Sequence, residues 1–201
     1  NKISIVVVSG SLERLQMAAM MASVGAVSGN EVTVFLSLNA LQHFRRAAAA
    51  PAPEGAFGQL LADKKAPDFK QLFQSAADLG DAKIHPCSMA MDVLAVERSD
   101  LEPWLKEPLG LTRFLADAGA RVTVYDGRPA SELEPAIAAL EGRPVTLALG
   151  PDVDPAATWS GAALVTTSPS ITPDFPTTEP RLRAALADLV AGRRPGVDFA
   201  F

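Results

Sequence analysis

Short β-branched apolar runs alternate along the chain with longer stretches whose apolar residues recur at helical spacing. Lys2–Ser9 (KISIVVVS) is a continuous apolar run, as expected of a buried parallel strand. Gly10-Ser11 turns into a helix over about Leu12–Ser28, whose Ala and Met face reads as core packing. Glu31–Ser37 (EVTVFLS) is a second strand and Leu38–Arg46 a short helix. The Ala-, Pro- and Gly-rich Ala47–Gly58 reads as a loop or lid. Pro67 opens a helix that runs through Leu79 and stops at Gly80. Ala82–Pro86 is a third strand, ended by its proline, and a helix begins at about Ser88.

Pro108–Asp126 is the most legible stretch. Leu109, Leu111, Phe114 and Leu115 make a helical apolar stripe, Gly119 stops the helix, and Arg121–Asp126 follows as a strand. Beyond it, Ser131–Glu141 reads as an amphipathic helix stopped by Gly142, and Pro144–Leu149 and Ala162–Thr167 as strands. Ser168–Pro180 is a loop, and Thr178–Ala191 a helix with Arg181 and Arg183 on its solvated side. Gly196–Phe201 adds an edge strand. This alternation predicts an α/β chain: a three-layer α/β/α sandwich on a mostly parallel sheet, flavodoxin-like or Rossmann-like.

Composition changes this picture in three ways. With 48% hydrophobic and 20% charged residues, the 201-residue chain has material for one large core or two small ones. A net charge of −5 leaves no basic footprint, so nucleic acid is not an expected partner. The longest apolar run, Met17–Val27, is too short to span a bilayer, so no membrane association is expected. No signal-peptide pattern is read, and with a single cysteine the expected setting is the cytoplasm. All five methionines precede residue 92, five of six lysines precede residue 84, and twelve of sixteen prolines follow residue 100. That shift points to two sequence histories in one chain.

Candidate chemistry is sparse. Cys87 follows a strand and precedes a helix, where the carboxyl ends of parallel strands face a ligand crevice. A thiol at a helix N-terminus meets the positive end of the dipole, which favours nucleophilicity, and Ser88 is placed to cap that helix. The bland alternative, a small buried apolar side chain, stands at equal weight. Gly10-Ser11 lies at a helix N-terminus suited to an anion, although most such turns bind nothing. His43 reads as a packing or surface residue, His85 lies two residues from the thiol on a strand whose alternation need not point it there, and no spacing suggests a metal site. No cofactor is implied.

KISIVVVSGSLERL, EVTVFLSLNAL, the AFGQLLADKKAPDFKQLF region and KIHPCSMAMDVLAV together resemble the DsrE/DsrF-like family, in its peroxiredoxin-like branch, over about residues 2–119. The Cys-Ser-Met-x-Met-Asp signature carries most of the likeness. The resemblance implies a persulfide on Cys87, a sulfur-carrier protein partner and homo-oligomeric assembly. It departs from that family by running on for about eighty residues.

GLTRFLADAGARVTVYDGRPASELEPAIAALEGRPVTLALG, with AALVTTSPSITPDFP, resembles the N-terminal Rossmann-like domain of the Mur ligases, nearest its MurD branch, over about residues 109–201. That resemblance implies a UDP-binding role for Asp126, Gly127 and Arg128, and for Ser168 and Pro169, which open a Ser-Pro-Gly loop whose glycine is Ser170 here. The ligase's first strand and Gly-rich turn are missing, and no GxxxxGK[ST] motif occurs, so ligase chemistry is not expected. Read from the residues alone, Asp126 and Arg128 are a solvated turn.

The expectation is therefore one composite α/β domain over 1–201, made from a DsrE-like segment (1–107) and a MurD-like segment (109–201). It would be an engineered chimera without selected catalytic activity. The alternatives are a sulfur carrier acting through Cys87 and a nucleotide- or anion-binding module using Gly10, Ser11, Asp126, Gly127, Arg128, Ser168 and Pro169. Splicing is expected to leave an exposed edge or a poorly packed seam near residues 100–120, which favours dimerisation or aggregation.

Overall fold

The computed structural model describes residues 1–64, 66–159, 161–162, 164–166, 179–193 and 198–200. The chain is α/β, of flavodoxin- or Rossmann-like type, with its strands in short parallel sheets. It divides into two compact units, Asn1–Phe114 and Leu115–Phe201. Among the described residues no helix is long and apolar enough to cross a membrane.

The first unit contains β1 (Lys2–Val7), α1 (Leu12–Val27), β2 (Glu31–Leu36), α2 (Leu38–Leu41), α3 (Ala56–Asp63), α4 (Phe69–Gly80), β3 (Lys83–Pro86) and α5 (Ser88–Val93). It ends within α6 (Leu111–Asp117). The sheet order is β1-β2-β3, all parallel, with Ile5 opposite Val34 and Val34 opposite Ile84. Strand alternation then puts Ile3, Ile5 and Val7 on one face with Val32, Val34, Leu36 and Ile84. α1 lies on that face. A Cβ at Gly25 would stand 3.0 Å from Ile3 Cδ1 and 3.1 Å from Val32 Cγ2, so glycine sets how closely the helix approaches. On the opposite face Phe35 stacks on Phe114 of α6, with ring centroids 4.8 Å apart. Helix, sheet and helix thus form three layers in this unit.

The expected α1 helix is present, but its core face is narrower than expected. Leu15, Ala18, Ala19, Ala22 and Ala26 are buried, whereas Met17, Met20 and Met21 are exposed. At 100° per residue the alanines and methionines fall on opposite sides, and the small alanines win the sheet-facing side because they allow close approach. Other boundaries also move. The predicted Leu38–Arg46 helix is one α turn followed by a 3-10 turn, Gln42–Phe44. The predicted loop ends early, because α3 begins at Ala56.

The second unit contains β4 (Val122–Asp126), α7 (Glu134–Ala138), β5 (Val145–Leu149), α8 (Pro155–Thr158), β6 (Leu164–Thr166), α9 (Pro180–Val190) and β7 (Asp198–Ala200). β4 pairs with β5, and β6 with β7. Gly119, at φ 93°, supplies the left-handed turn between α6 and β4. The predicted Ser131–Glu141 helix is instead a 3-10 turn, Ala130–Glu132, and then α7. Pro135 lacks an N–H and fits only the first turn of a helix, so α7 starts there. A small core gathers Trp159, Ala185, Leu186 and Leu189. Arg181 is exposed as expected, but Arg183 is half-buried. Of the expected Ser168–Pro180 loop, only Glu179 and Pro180 lie among the described residues.

Phe44 is fully buried, edge-on to Phe69, Phe73 and Trp104 at 5.5–6.1 Å. Phe44→Ala should cost the first unit about 3–5 kcal/mol, the range for emptying a buried aromatic site. Urea unfolding followed by tryptophan fluorescence reads the loss. A change under about 1 kcal/mol would mean the aromatic cluster is not central to this unit's stability.

Candidate functional site

Cys87 stands where the sequence places it, directly after β3 and at the N-cap of α5. Its backbone is held from both sides. Cys87 N donates to Leu36 O of β2 at 2.8 Å, and Cys87 forms a parallel bridge with Leu109. The segment before α6 runs alongside β3, with Lys106 N donating to Ile84 O, Leu109 N to Pro86 O, and Ser88 N to Leu109 O, at 2.8–2.9 Å. Flanked in this way, Cys87 is only 2% exposed. The nearby hollow, of about 370 Å³, is lined by Ser88, Met91, Asp92 and others, and Cys87 does not line it. Ser88, expected as the cap, is instead the first residue of the helix. α5 is only six residues long, so its dipole is weak. His85 is engaged elsewhere, with Nδ1 donating to Glu107 O at 2.8 Å.

The Gly10-Ser11 turn follows β1, and the chain itself fills the space around it. A Cβ on Gly10 would lie 2.7 Å from His43 Nε2 and 2.9 Å from Asn39 O, so His43 packs against the turn. Leu12 N, a free donor at the start of α1, is taken by Ala52 O at 3.0 Å. Glu54 accepts from Arg14 Nη2 at 2.7 Å and from Ser11 Oγ at 3.4 Å. Glu13 in turn accepts from Glu54 N at 2.7 Å and Gly55 N at 3.0 Å. The Ala/Pro-rich segment is therefore a strap clamped to the N-terminus of α1, and Glu54 supplies a negative charge where an anion would approach. Glu13, Arg14 and Glu54 carry this clamp, and the sequence reading missed all three. Glu13 in the first turn of a helix was the one available signal, but its partners lie some forty residues away.

In the second unit Asp126, Gly127 and Arg128 follow β4 as expected. Asp126 and Arg128 satisfy each other. Arg128 Nε donates to Asp126 Oδ1 at 3.1 Å, Arg128 Nη2 to Oδ2 at 2.8 Å, and the Arg128 backbone N to Oδ1 at 2.9 Å. The guanidinium holds the Asp126 carboxyl below its ordinary value, and the carboxylate raises Arg128. A residue not singled out from sequence is Tyr125. Its hydroxyl is buried and has no hydrogen-bond partner among the described residues, and burial, then the charge of Glu179, push its pKa up. Ser168 and Pro169 lie outside the described residues. Among the described residues no three His, Cys, Asp or Glu side chains are grouped to hold a metal.

The clamp has a pH signature. Hydrogen bonds from backbone amides, Glu54 N–H first and Gly55 N–H among them, hold the Glu13 carboxyl below its ordinary value. A lowered carboxyl contributes its stabilisation above the unfolded value and loses it as pH falls through the folded one. The Glu54 and Gly55 amide resonances should therefore titrate together, with a midpoint below that of an ordinary glutamate. Glu13→Gln should leave the strap more open to trypsin at Arg45 and Arg46 at neutral pH. Unchanged cleavage would show that Glu13 does not hold it.

Neither a family model nor a curated protein matches this chain.

Proposed function

We propose that the chain is a recombined α/β scaffold, an engineered chimera of a DsrE-like segment over about 1–107 and a MurD-like segment over about 109–201, with no selected catalytic activity. The observation that carries this reading is the burial of Cys87, 2% exposed and laced into the ladder between Leu36 and Leu109. A persulfide carrier needs a sulfur that a partner thiolate can reach in line. The described candidates of the anion-binding alternative support the same reading. Ala52 and Glu54 occupy the α1 N-terminus, and Asp126 neutralises Arg128. The division of the chain at Phe114 falls inside the Leu109–Gly119 stretch in which the two resemblances overlap, which supports a junction there. Its one cysteine suits the reducing cytoplasm.

The second reading, a sulfur carrier, is favoured by one feature, the N-cap position of Cys87 after β3. Alkylation of the folded chain separates the two. On the scaffold reading, iodoacetamide modifies the folded protein about 100-fold or more slowly than the urea-unfolded one, because reaction waits on local opening. Intact mass then gains nothing after exposure to polysulfide. Rapid labelling with the gain of one sulfur, absent in Cys87→Ser, would replace the scaffold reading with the carrier. For the nucleotide alternative, millimolar UDP should leave the melting temperature unchanged. A rise that Arg128→Ala abolishes would establish a binding module instead.

A further inference from the structure

Three of the five methionines stand together on the side of α1 turned away from the buried alanines. Met17, Met20 and Met21 are 47–57% exposed, and their i, i+3 and i+4 spacing makes them neighbours on one helix surface. The chain's other sulfur atoms are sheltered. Cys87 is 2% exposed, Met91 is buried and Met89 is half-buried. A thioether needs no deprotonation to act as a nucleophile, so access to the sulfur governs its reaction with an oxidant.

We propose that Met17, Met20 and Met21 form a sulfoxidation site, and that hydroperoxides modify them before Cys87. In each step a sulfur lone pair attacks one peroxide oxygen, and an S–O bond forms as the O–O bond breaks. The thioether is oxidised to the sulfoxide. The departing oxygen takes up the proton of the transferred hydroxyl and leaves, reduced, as water or an alcohol. The order inverts the usual one. A cysteine thiolate ordinarily meets a peroxide first, but Cys87 is enclosed between Leu36 and Leu109 and reacts only when that ladder opens. The three methionines need no opening.

The modification acts on the character of a surface. A sulfoxide replaces a flexible apolar side chain by a polar one. The large apolar side chains exposed on α1 are Met17, Met20, Met21, Val24 and Val27, and no charged residue lies between Met17 and Val27. Oxidation therefore turns three of these five polar and leaves the buried side, Leu15, Ala18, Ala19, Ala22 and Ala26, untouched. The helix keeps its packing while its outer face changes from apolar to polar, and a sulfoxide reductase can reach that face without unfolding the chain.

Hydrogen peroxide on the full chain, followed by intact mass and peptide mapping, tests the proposal. The expected result is an early gain of three oxygen atoms, all within α1, at rates within about threefold of those in urea, whereas Cys87 and Met91 react about 100-fold or more slowly folded than unfolded. The oxidised chain should elute earlier from a hydrophobic-interaction column, with unchanged circular dichroism. Met17→Leu with Met20→Leu and Met21→Leu keeps volume and apolarity, and should remove both the early mass gain and the shift in elution. Protection of the three methionines in the folded chain by about tenfold or more overturns the proposal, because the face is then covered. So does oxidation of Cys87 ahead of them, a loss of helix on oxidation, or a peroxide-induced shift that persists in the leucine variant.

Discussion

The parallel ladder centred on β2 is the constraint on which the first unit depends. β2 is bonded on both edges and covered on both faces, by α1 through Val32 and Val34 and by α6 through the Phe35–Phe114 stack. A strand in that position is covered on both faces along its C-terminal half, where Val34, Phe35 and Leu36 are consecutive buried apolar residues. β1, at the sheet edge, is covered on one face only, and its Val6 and Val8 remain about half exposed on the other. The same ladder controls the cysteine. Once β2 lies on one side of Cys87 and the 106–109 segment on the other, the thiol belongs to the core.

Among the described residues, the three places that resemble binding or catalytic sites are each closed by the chain's own groups, by different means. Backbone pairing encloses the thiol. A carbonyl and a carboxylate from the strap occupy the helix N-terminus. An ion pair two residues apart neutralises the strand-end arginine. The pairs contribute little individually, since Arg14 and Glu54 are exposed, as is Arg128 opposite a partly buried Asp126. Their effect is on access and charge more than on stability.

The surplus of apolar surface lies on the outer face of α1. Short side chains toward the sheet let the helix pack closely, and the long methionines then have nowhere to go but outward. Close approach inside and apolar exposure outside therefore come from the same arrangement of Ala and Met along one helix.

Much of the architecture was legible from local pattern. The strands of the first unit, the α1, α4 and α6 helices, the Gly119 stop and the strand-end positions of Cys87, Gly10 and Asp126 all follow from periodicity and turn chemistry, which act between near neighbours. Tertiary structure decided what those positions face. The Met side of α1 looked like core because hydrophobicity gives no direction, and only packing against the sheet showed the alanines inside. Cys87 looked equally like a nucleophile or a core residue, because its burial depends on Leu36 and Leu109, remote in sequence. Glu13 and Glu54 showed no sign of partnership, because a clamp forty residues long is set by the path of the folded chain. Local sequence determines the elements and their ends; the exposure and charge environment of each side chain are properties of contacts that only the fold brings together.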